Sequence, residues 1–442
     1  MRQLKTVIAP PEPVRELAAT LERAGYEAWC VGGAVRDALL GDVHLDWDLA
    51  TSATPNEVRR VFRRTVPVGV EFGTVGVFDR TGRMHEVTTF RRDVRTDGRH
   101  AEVEFGGSLD DDLARRDFTI NAIAYSPSKG ELRDPYAGRE DLTRGLVRAV
   151  GAARERMRED RLRALRALRF AGRFGFKIEE ATWQAIVESG PHLGRLSRER
   201  VKQEIEKTVE QVLRPSLTFG LWRDAGAFAS LVPELTDVPD VTLAAIDAIC
   251  RPDATRTDMR AQAKADQRRL LRLALLFADL APEHADRTLR ALRFSNQEVA
   301  LIVGLLRSWH TLGAKMRDAL LNNAVVPAAE VRRWASEASR PVFPLLIRFA
   351  AARWHAERAG GLPAPSPAAA RRFYARGVRT AYREPIALAD LAVDGDDLKA
   401  AGIAQGPALG QILASLRDAV LEDPSRNTRD QLLALAQFLT KG

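Results

Sequence analysis

Two aspartates separated by one residue have the side chains best suited to chemistry. Asp46 and Asp48 flank Trp47, and on a strand their carboxylates would share one face, roughly 6–7 Å apart along it. Such a pair makes a strongly negative spot, and oxygen ligands of this kind suit Mg²⁺. Two such ions can activate an attacking oxygen and neutralise a leaving pyrophosphate. The spacing therefore predicts a catalytic, metal-binding pair.

A glycine turn upstream of this pair favours a ligand that carries phosphates. Gly32-Gly33 follows a short apolar segment and precedes a helical segment that ends at Gly41. Such a turn lets backbone N–H groups approach phosphates, and a helix start presents its positive end to them. We expect Gly33 and Arg36 to contact a triphosphate. Either motif alone is also compatible with solvated aspartates or an unrelated turn, but together they favour a nucleotide site.

Two adjacent arginines beside a carboxylate form a second nucleotide-binding pattern at Arg115-Arg116-Asp117. Arginine pairs with phosphate oxygens, and an aspartate accepts a hydrogen bond from a ribose hydroxyl. That second contact would select ribonucleotides. A surface ion pair before a strand is the alternative, and we expect Asp117 to accept the hydrogen bond from the ribose.

A row of arginines follows between residues 154 and 173. Arg163, Arg166 and Arg169 recur every three residues and alternate with leucines. On a helix, one row can be buried while the other lines a cleft. A solvated basic face, or one that grips only an RNA backbone, is the alternative.

Asp160 and Arg163 have the donor and acceptor pattern needed to read a base. Cytosine and adenine present an amino donor beside a ring-nitrogen acceptor, whereas guanine and uracil reverse that order. A carboxylate beside an arginine therefore fits C and A and opposes G and U. Because the two residues are at i and i+3, they would be neighbours on a helix. We expect Arg166 and Arg169 to orient this pair or to contact phosphate.

The elements that position these residues show two kinds of secondary-structure pattern along the chain. Strand and short-helix patterns fill the first 150 residues, and long segments with helical spacing follow. Strands are expected at 26–31, 45–49, 72–78 and 84–90, and helices at 34–40 and 54–62. A break rich in proline at 360–367 and a basic interruption at 251–269 read as loops or linkers.

Composition limits the class of protein. The 442 residues have a net charge of +8, which permits a polyanionic partner such as nucleic acid. Cys30 and Cys250 are too few for a disulfide framework or a zinc site built from cysteines, and they fit a reducing, cytoplasmic location. No signal peptide or membrane span is expected. A P-loop kinase is disfavoured because GxxxxGK[ST] is missing.

The segment 31–41 running into 46–48 resembles the head motif of the class II tRNA nucleotidyltransferase and bacterial poly(A) polymerase family. These proteins belong to the polymerase β-like nucleotidyltransferases. Further segments similar to that family follow in order at 115–122, 134–138, 159–170 and 196–200. The segment 391–410 is similar to the tail of CCA-adding members, whereas 215–385 matches loosely.

The resemblance implies an α+β fold, in which a polymerase β-like α/β head (1–150) is followed by an all-helical neck (151–215), body (216–360) and tail (361–442). It implies template-independent addition of CCA to tRNA from CTP and ATP, with Mg²⁺ as cofactor and pyrophosphate as product. The EDxxR stretch around Asp160 would replace a nucleic-acid template. The resemblance also implies that Arg116, the second arginine of the pair at 115–116, binds the nucleotide. The body and tail would hold the tRNA, and no protein partner is expected.

Several alternatives remain open on the sequence. An enzyme that adds only A or only CC, or a poly(A) polymerase, would share every catalytic residue named above. The segment 91–107 resembles a mobile loop needed for the switch from C to A addition, which favours full CCA addition. A non-enzymatic RNA-binding protein would require that Asp46 and Asp48 have no catalytic role.

Two further residues carry expectations of their own. Ala278 stands where the phosphohydrolase module of many relatives has the histidine of a His-Asp pair, so we expect no phosphohydrolase activity. Glu86 could be a third acidic group near the metals. A hydrogen-bonded strand residue is about as good an interpretation, so we leave Glu86 outside the predicted metal ligands.

Overall fold

The computed structural model describes residues 3–5, 7–42, 46–69, 72–96, 101–249, 259–321 and 325–441. The chain forms two compact units. Unit 1 comprises the residues up to Val212 together with Leu217–Thr236, and unit 2 comprises Leu213–Ser216 and the residues from Asp237 onward. The predicted division into four parts stays a prediction.

The elements of unit 1 are mixed. Its strands are β1 (Ala28–Val31), β2 (Asp48–Thr51), β3 (Thr65–Gly69), β4 (Thr74–Phe78), β5 (Met84–Thr89), β6 (Arg91–Thr96), β7 (Ala101–Phe105), β8 (Ala124–Ser126), β9 (Glu131–Arg133), β10 (Leu146–Val147) and β11 (Lys177–Ile178). Its helices are α1 (Glu12–Arg23), α2 (Gly33–Leu40), α3 (Pro55–Val61), α4 (Leu109–Ala114), α5 (Gly138–Arg144), α6 (Ala153–Glu159), α7 (Leu162–Phe174), α8 (Glu180–Ser189), α9 (Arg198–Gln211), α10 (Pro215–Asp224) and α11 (Ala227–Leu231).

In its described residues, unit 2 contains helices and connecting segments but no strand. Its helices are α12 (Asp240–Asp247), α13 (Met259–Leu276), α14 (Pro282–Ala291), α15 (Asn296–Leu321), α16 (Ala328–Ala338), α17 (Phe343–Ala359), α18 (Pro367–Arg383), α19 (Gly395–Ala400), α20 (Pro407–Glu422) and α21 (Arg429–Lys441). The predicted α/β head followed by helices is confirmed. No helix in the described part of the chain is long and apolar enough to cross a membrane.

A seven-stranded mixed sheet forms the centre of the α/β part, with strand order β3-β4-β5-β2-β1-β8-β9. Strand β2 is antiparallel to β1 and parallel to β5. Its inner residues Leu49 and Ala50 are buried. The residue that begins β2 therefore stands at a strand end between two neighbouring strands, which makes that end of the sheet suitable for a site.

The predicted strand at 45–49 is wrong at its start, because β2 begins only at Asp48. The last pair in the β1–β2 register joins Val31 to Asp48, and the chain then leaves β1 through the turn at Gly32, where φ is 73°. The ladder between β1 and β2 therefore ends at Asp48. Asp46 lies outside the strand, and residues 43–45 lie outside the described residues.

The predicted helix at 54–62 is observed as α3, and its start follows from its sequence. The Thr54 hydroxyl caps the Glu57 backbone N–H, and the Glu57 carboxylate accepts from the Thr54 backbone N–H at 2.8 Å. Pro55 stands at the first turn, where a missing N–H costs nothing. Reciprocal capping of this kind fixes the first residue of a helix.

The segment 91–107, predicted to be a loop, contains a β-ribbon. Strands β6 and β7 pair in antiparallel fashion from Arg91 opposite Phe105 to Thr96 opposite Ala101. Residues 97–100 lie outside the described residues. The role predicted for this segment in the switch from C to A addition stays a prediction.

The break rich in proline at 360–367 is a short connection between two packed helices, α17 and α18. Their side chains interlock, since a Cβ atom added at Gly377 would lie 2.2 Å from the Ile347 Cδ1 atom. The rings of Phe343 and Phe373 meet edge to face with centroids 6.3 Å apart. The helices on the two sides of this break therefore share one core.

Candidate active site

Asp48 stands at the start of β2, directly opposite the residue that precedes the glycine turn. Its partner in the register is Val31 of β1, and the next residue, Leu49, pairs with Val87 of β5. The residue keeps some surface exposed to solvent, although the surrounding protein displaces part of the water around its carboxylate. Asp46 lies two residues earlier, and its Oδ1 atom accepts a hydrogen bond from Arg83 Nη2 at 2.9 Å. The sheet thus brings Asp48 beside the predicted phosphate-binding turn, and Asp46 precedes it outside the strand.

The environment of Asp48 raises the pKa of its carboxyl group to about 6. The main cause is the protein that surrounds this strand end and displaces water, and the negative charge of Glu86 adds to it. Asp46 acts in the same direction, whereas Arg116 opposes it. Raised carboxyl pKa values of this kind mark places where negative charge is concentrated without full compensation.

Glu86 on β5 belongs to this group of carboxylates. It precedes Val87, the partner of Leu49, so that it stands beside Asp48 across the parallel pair. Its side chain is exposed, and its charge acts on Asp48. The sequence could not separate this arrangement from an ordinary strand residue, because the pairing of β5 with β2 is not visible in either segment alone.

The donor set of this group fits a divalent cation only when a substrate completes it. No cluster of three or more His, Cys, Asp or Glu side chains is arranged to hold a metal ion within the described ranges. Mg²⁺ is usually bound through one or two carboxylates together with substrate phosphates and water. Two aspartates beside a phosphate-binding turn match that pattern, and the raised pKa of Asp48 indicates that a cation would be stabilising.

The glycine turn is tightly packed against an arginine. Gly32 has a φ of 73°, and a Cβ atom there would lie 2.9 Å from Arg116 Nη1. Any side chain would therefore strain the backbone and push on the guanidinium group. Gly33 begins α2 immediately afterwards. Arg116 also pairs with Asp112 at 3.0 Å, so its guanidinium group is held next to the turn.

Arg36 is placed differently from what we expected. It is only 3% exposed and donates to Asp37 Oδ1 at 2.7 Å and to the Asn121 side chain. Its guanidinium group lies over the rings of Phe174 and Phe170, at 4.7 and 5.2 Å. Burial lowers its pKa, while Asp37 opposes that effect. These contacts suit a residue that fixes α2 against α7, and its predicted contact with a triphosphate stays a prediction.

Asp117 is engaged with the protein through both carboxylate oxygens. Oδ2 pairs with Arg166 Nη2 at 2.7 Å, and Oδ1 accepts from Asn121 Nδ2 at 2.8 Å and from the Phe118 N–H at 2.9 Å. Burial alone would raise the pKa of Asp117, but Arg166 and Asn121 outweigh it and lower the pKa. Asp117 therefore carries a negative charge that positions Arg166, and its predicted contact with ribose stays a prediction.

The expectation that Asp160 and Arg163 share one helix is wrong. Helix α6 ends at Glu159, Asp160 is extended with φ −145° and ψ 105°, and α7 begins at Leu162. The physical reason lies in the aspartate side chain, whose Oδ1 atom accepts from the Leu162 N–H at 3.0 Å. Short carboxylates readily bond nearby backbone in this way and interrupt helices. The Arg163 N–H still reaches the Asp160 carbonyl oxygen at 3.0 Å, so the two residues remain neighbours.

Asp160 and Arg163 are both positioned by ion pairs. The Asp160 Oδ2 atom pairs with Arg200 of α9 at 2.7 Å. Arg163 pairs with Glu159 at 2.6 Å and donates to the Arg115 carbonyl oxygen at 3.1 Å. Arg200 received no role from sequence reasoning, although it lies in the segment 196–200 that carried the family resemblance.

Arg169 holds α7 against α9 from inside the protein. It is 4% exposed and pairs with Glu204, itself 1% exposed, at 2.7 Å. It also donates to Gln211 at 3.3 Å and lies 4.6 Å from the Phe170 ring. Of the two predicted options, orienting the base reader and contacting phosphate, this burial favours the first.

Family models and relatives agree on the kind of protein to which this chain is similar. Residues 28–148 match the model described as the Poly A polymerase head domain. Residues 175–238 match a model described as the probable RNA and SrmB-binding site of polymerase A. The first match covers the aspartate pair, the glycine turn and Arg116.

Similar proteins extend these matches along the chain. The CCA-adding enzyme of Lactiplantibacillus plantarum is 33% identical over 456 residues, covering 99% of this chain and 98% of the relative. That of Geobacillus kaustophilus is 45% identical over 224 residues, covering 50% and 55%. The crystal structure of the Bacillus stearothermophilus CCA-adding enzyme in complex with CTP has a TM-score of 0.74 at 29% identity and covers 98% of both chains. Since the Lactiplantibacillus plantarum enzyme is 33% identical over nearly the whole length of both chains, the chain belongs to the CCA-adding enzyme family of tRNA nucleotidyltransferases.

Proposed function

We propose that Asp46 and Asp48 carry the catalytic step of CCA addition in this enzyme. The enzyme adds C, C and A to the 3′ end of tRNA, taking them from CTP and ATP. In each step the 3′-hydroxyl oxygen attacks the α-phosphorus, a new P–O bond forms, and the bond to pyrophosphate breaks as the hydroxyl proton leaves. The single observation that carries the residue assignment is the pairing of Asp48 with Val31, which places the carboxylate beside the glycine turn.

Mg²⁺ is the divalent cation that we propose for this site. Asp46 and Asp48 would hold it, and the cation would lower the pKa of the attacking hydroxyl and offset charge on the phosphates. The two carboxylates supply only oxygen atoms, as Mg²⁺ prefers. The raised pKa of Asp48, caused mainly by burial and then by the negative charge of Glu86, supports a bound cation as part of the working enzyme.

The triphosphate and ribose would lie between the glycine turn and the arginines behind it. Gly33 offers a helix N-terminus, and the close approach of Arg116 to Gly32 places a guanidinium group at the same spot. Arg36 would act by holding α2 in place. Asp117 would hold Arg166 and accept a hydrogen bond from the ribose hydroxyl in place of one of its present partners.

The base would be read by Asp160 and Arg163. A carboxylate has about four lone-pair sites and a guanidinium group five donors, so both groups retain capacity beyond their present partners. The Asp160 acceptor would receive the amino group of C or A, and Arg163 would donate to the neighbouring ring nitrogen. Arg200 would hold the carboxylate in place through the 2.7 Å ion pair. Arg166 and Arg169 support this arrangement from the same helix.

No observation favours an enzyme restricted to A or CC addition, a poly(A) polymerase, or an RNA-binding protein without activity. We also propose a cytoplasmic location, because the substrate is tRNA and the two cysteines suit a reducing compartment. The predicted contacts of body and tail with tRNA remain part of the proposal.

The catalytic assignment is tested by Asp46→Asn and Asp48→Asn, with Asp42→Asn as an exposed control on the same segment. Each of the first two changes removes a charge from the carboxylate group while keeping the side-chain shape. We expect turnover with Mg²⁺ to fall by about a hundredfold or more, which corresponds to about 3 kcal/mol of transition-state stabilisation. The affinity for tRNA should change little. Near wild-type turnover in either variant would remove the metal assignment.

A further inference from the structure

A polar cavity in unit 1 lies away from the aspartates, between α6, α8 and the turn that follows α8. We call it the neck pocket. It has a volume of about 260 Å³, and the residues that line it include Arg154, Arg158, Arg161, Glu188, Ser189 and His192. None of these residues has a role in the nucleotide site described above.

Positive charge in the neck pocket is poorly compensated. Glu188 is its only carboxylate, and that carboxylate pairs with Arg154 at 2.6 Å. Arg158 and His192 make no ion pair or side-chain hydrogen bond with the part of the chain that the structure describes. Arg195, which lies nearby, makes none either. The pocket therefore holds more guanidinium groups than the protein itself neutralises.

Arg161 shows the effect of this crowding. Its Nη1 atom donates to the buried Ser189 hydroxyl at 2.9 Å, and it forms no ion pair within the described ranges. Burial lowers its pKa, and the like charges of Arg195 and Arg158 add to that shift. An anion between these groups would replace the repulsion with charge-assisted hydrogen bonds.

We propose that the neck pocket binds a phosphate group. Several guanidinium groups present the fork of N–H donors that matches phosphate oxygens, and the Ser189 hydroxyl keeps a proton to donate while accepting from Arg161. The phosphate would come from the backbone of a bound RNA or from a free anion such as pyrophosphate. The RNA source rests on the proposed tRNA substrate. It is supported by the match of residues 175–238, which include Glu188 and His192, to the RNA-binding family model.

Charge-changing variants at the rim of the pocket test the proposal. Arg158→Gln removes one unpaired cation, Glu188→Gln removes the opposing carboxylate, and Arg59→Gln on α3 is the matched control for loss of an exposed arginine. Arg158 is exposed, so the fold should persist, and thermal unfolding checks this. The measurements are tRNA affinity as a function of salt and the affinity for pyrophosphate alone, with no nucleotide addition required.

For an RNA phosphate, Arg158→Gln should weaken tRNA binding about three- to tenfold and reduce the slope of log K against log salt by about 0.7–0.9. Glu188→Gln should strengthen binding, and Arg59→Gln should leave it unchanged. For a free anion, the same variants should change pyrophosphate affinity while tRNA affinity stays constant. If Arg158→Gln and Arg59→Gln behave alike for both ligands, the neck pocket is not a phosphate site. Failure of CCA addition with these binding shifts intact would instead count against the proposed function.

Discussion

At the scale of single residues, the site depends on negative charges held close together. A raised carboxyl pKa means that the ionised group is less favourable in the folded protein than in the unfolded chain. For Asp48 the pKa is about 6 against an ordinary value of 3.8. In the absence of metal, this carboxylate therefore costs stability above about pH 6, and the cost disappears below about pH 4, where the group is protonated in both states.

The direction of this pKa shift gives a prediction for the enzyme when a chelator keeps it free of metal. The thermal midpoint should fall as pH rises from about 4 to about 6, beyond the change seen in Asp48→Asn. The variant should be more stable than the wild type at pH 7, and added Mg²⁺ should close the gap by stabilising the wild type alone. Equal stability of the two proteins across this pH range would show that Asp48 is not under electrostatic strain.

Base selection also belongs to this scale. Asp160→Ala removes the acceptor for the amino group of C and A but leaves Arg163 able to donate to a carbonyl. We therefore expect the preference for CTP over UTP, and for ATP over GTP, to shrink by roughly 5–150-fold, as a mispaired polar group costs about 1–3 kcal/mol. Incorporation ratios measure this directly.

Variants of Arg200 test, in the same assay, whether this residue acts by positioning Asp160. Arg200→Ala should lower discrimination by a smaller factor, and Arg200→Lys should restore part of it, because the charge near Asp160 returns without the guanidinium geometry. Loss of activity with full discrimination against U and G in Asp160→Ala would assign the aspartate a structural role. Circular dichroism must show that the helices are intact.

At the scale of elements, α7 connects the part of the fold that carries the proposed catalytic residues to the proposed base reader. Ion pairs join α7 to three other parts of unit 1. Arg173 pairs with Asp37 of α2, Arg166 pairs with Asp117 after α4, and Arg169 pairs with Glu204 of α9. Leu165 and Leu168 are fully buried on the same helix. The alternation of leucine and arginine predicted the buried leucines, but Arg169 of the arginine row is also buried and does not line a cleft.

The buried pair in this set should matter most for stability. Arg169→Met leaves the buried Glu204 with only the longer ion pair to the half-exposed Lys207 at 3.8 Å, which should lower the free energy of unfolding by up to about 3–5 kcal/mol. The exposed pair of Arg144 and Glu140 on α5 is the matched control, and Arg144→Met should cost about 0–1 kcal/mol. Urea denaturation of both variants checks the difference. A similar small cost for both would mean that Glu204 finds another partner or becomes neutral.

Some local features could not be predicted from periodicity. The segment around Asp160 continues the helical pattern on both sides, so only the capping preference of an aspartate could have indicated the break. The strand at 45–49 has the right alternation, but β1 ends at Val31, so its register with β2 stops at Asp48 and Asp46 lies outside the strand. Pairings such as β5 beside β2 join distant segments, which is why the position of Glu86 emerged only from the structure.

At the scale of the whole molecule, composition and the pattern of apolar residues predicted the change from an α/β part to helices. The boundary predicted at residue 360 illustrates what they could not predict. Gly377 lies against Ile347, so helices before and after the break rich in proline bury each other's side chains. A chain cut there would lose part of a core, and salt-dependent tRNA binding is better probed in the full chain.

The central claim is that this single chain completes CCA without a nucleic-acid template, and product length tests it most directly. Purified enzyme is incubated in Mg²⁺ with tRNA that lacks its 3′ CCA, together with each nucleotide alone and with CTP plus ATP. We expect the addition of C from CTP alone, of C, C and a single A from the mixture, and negligible addition from UTP or GTP. A product that stops at CC in the mixture, a long run of A, or equal use of UTP would contradict the claim.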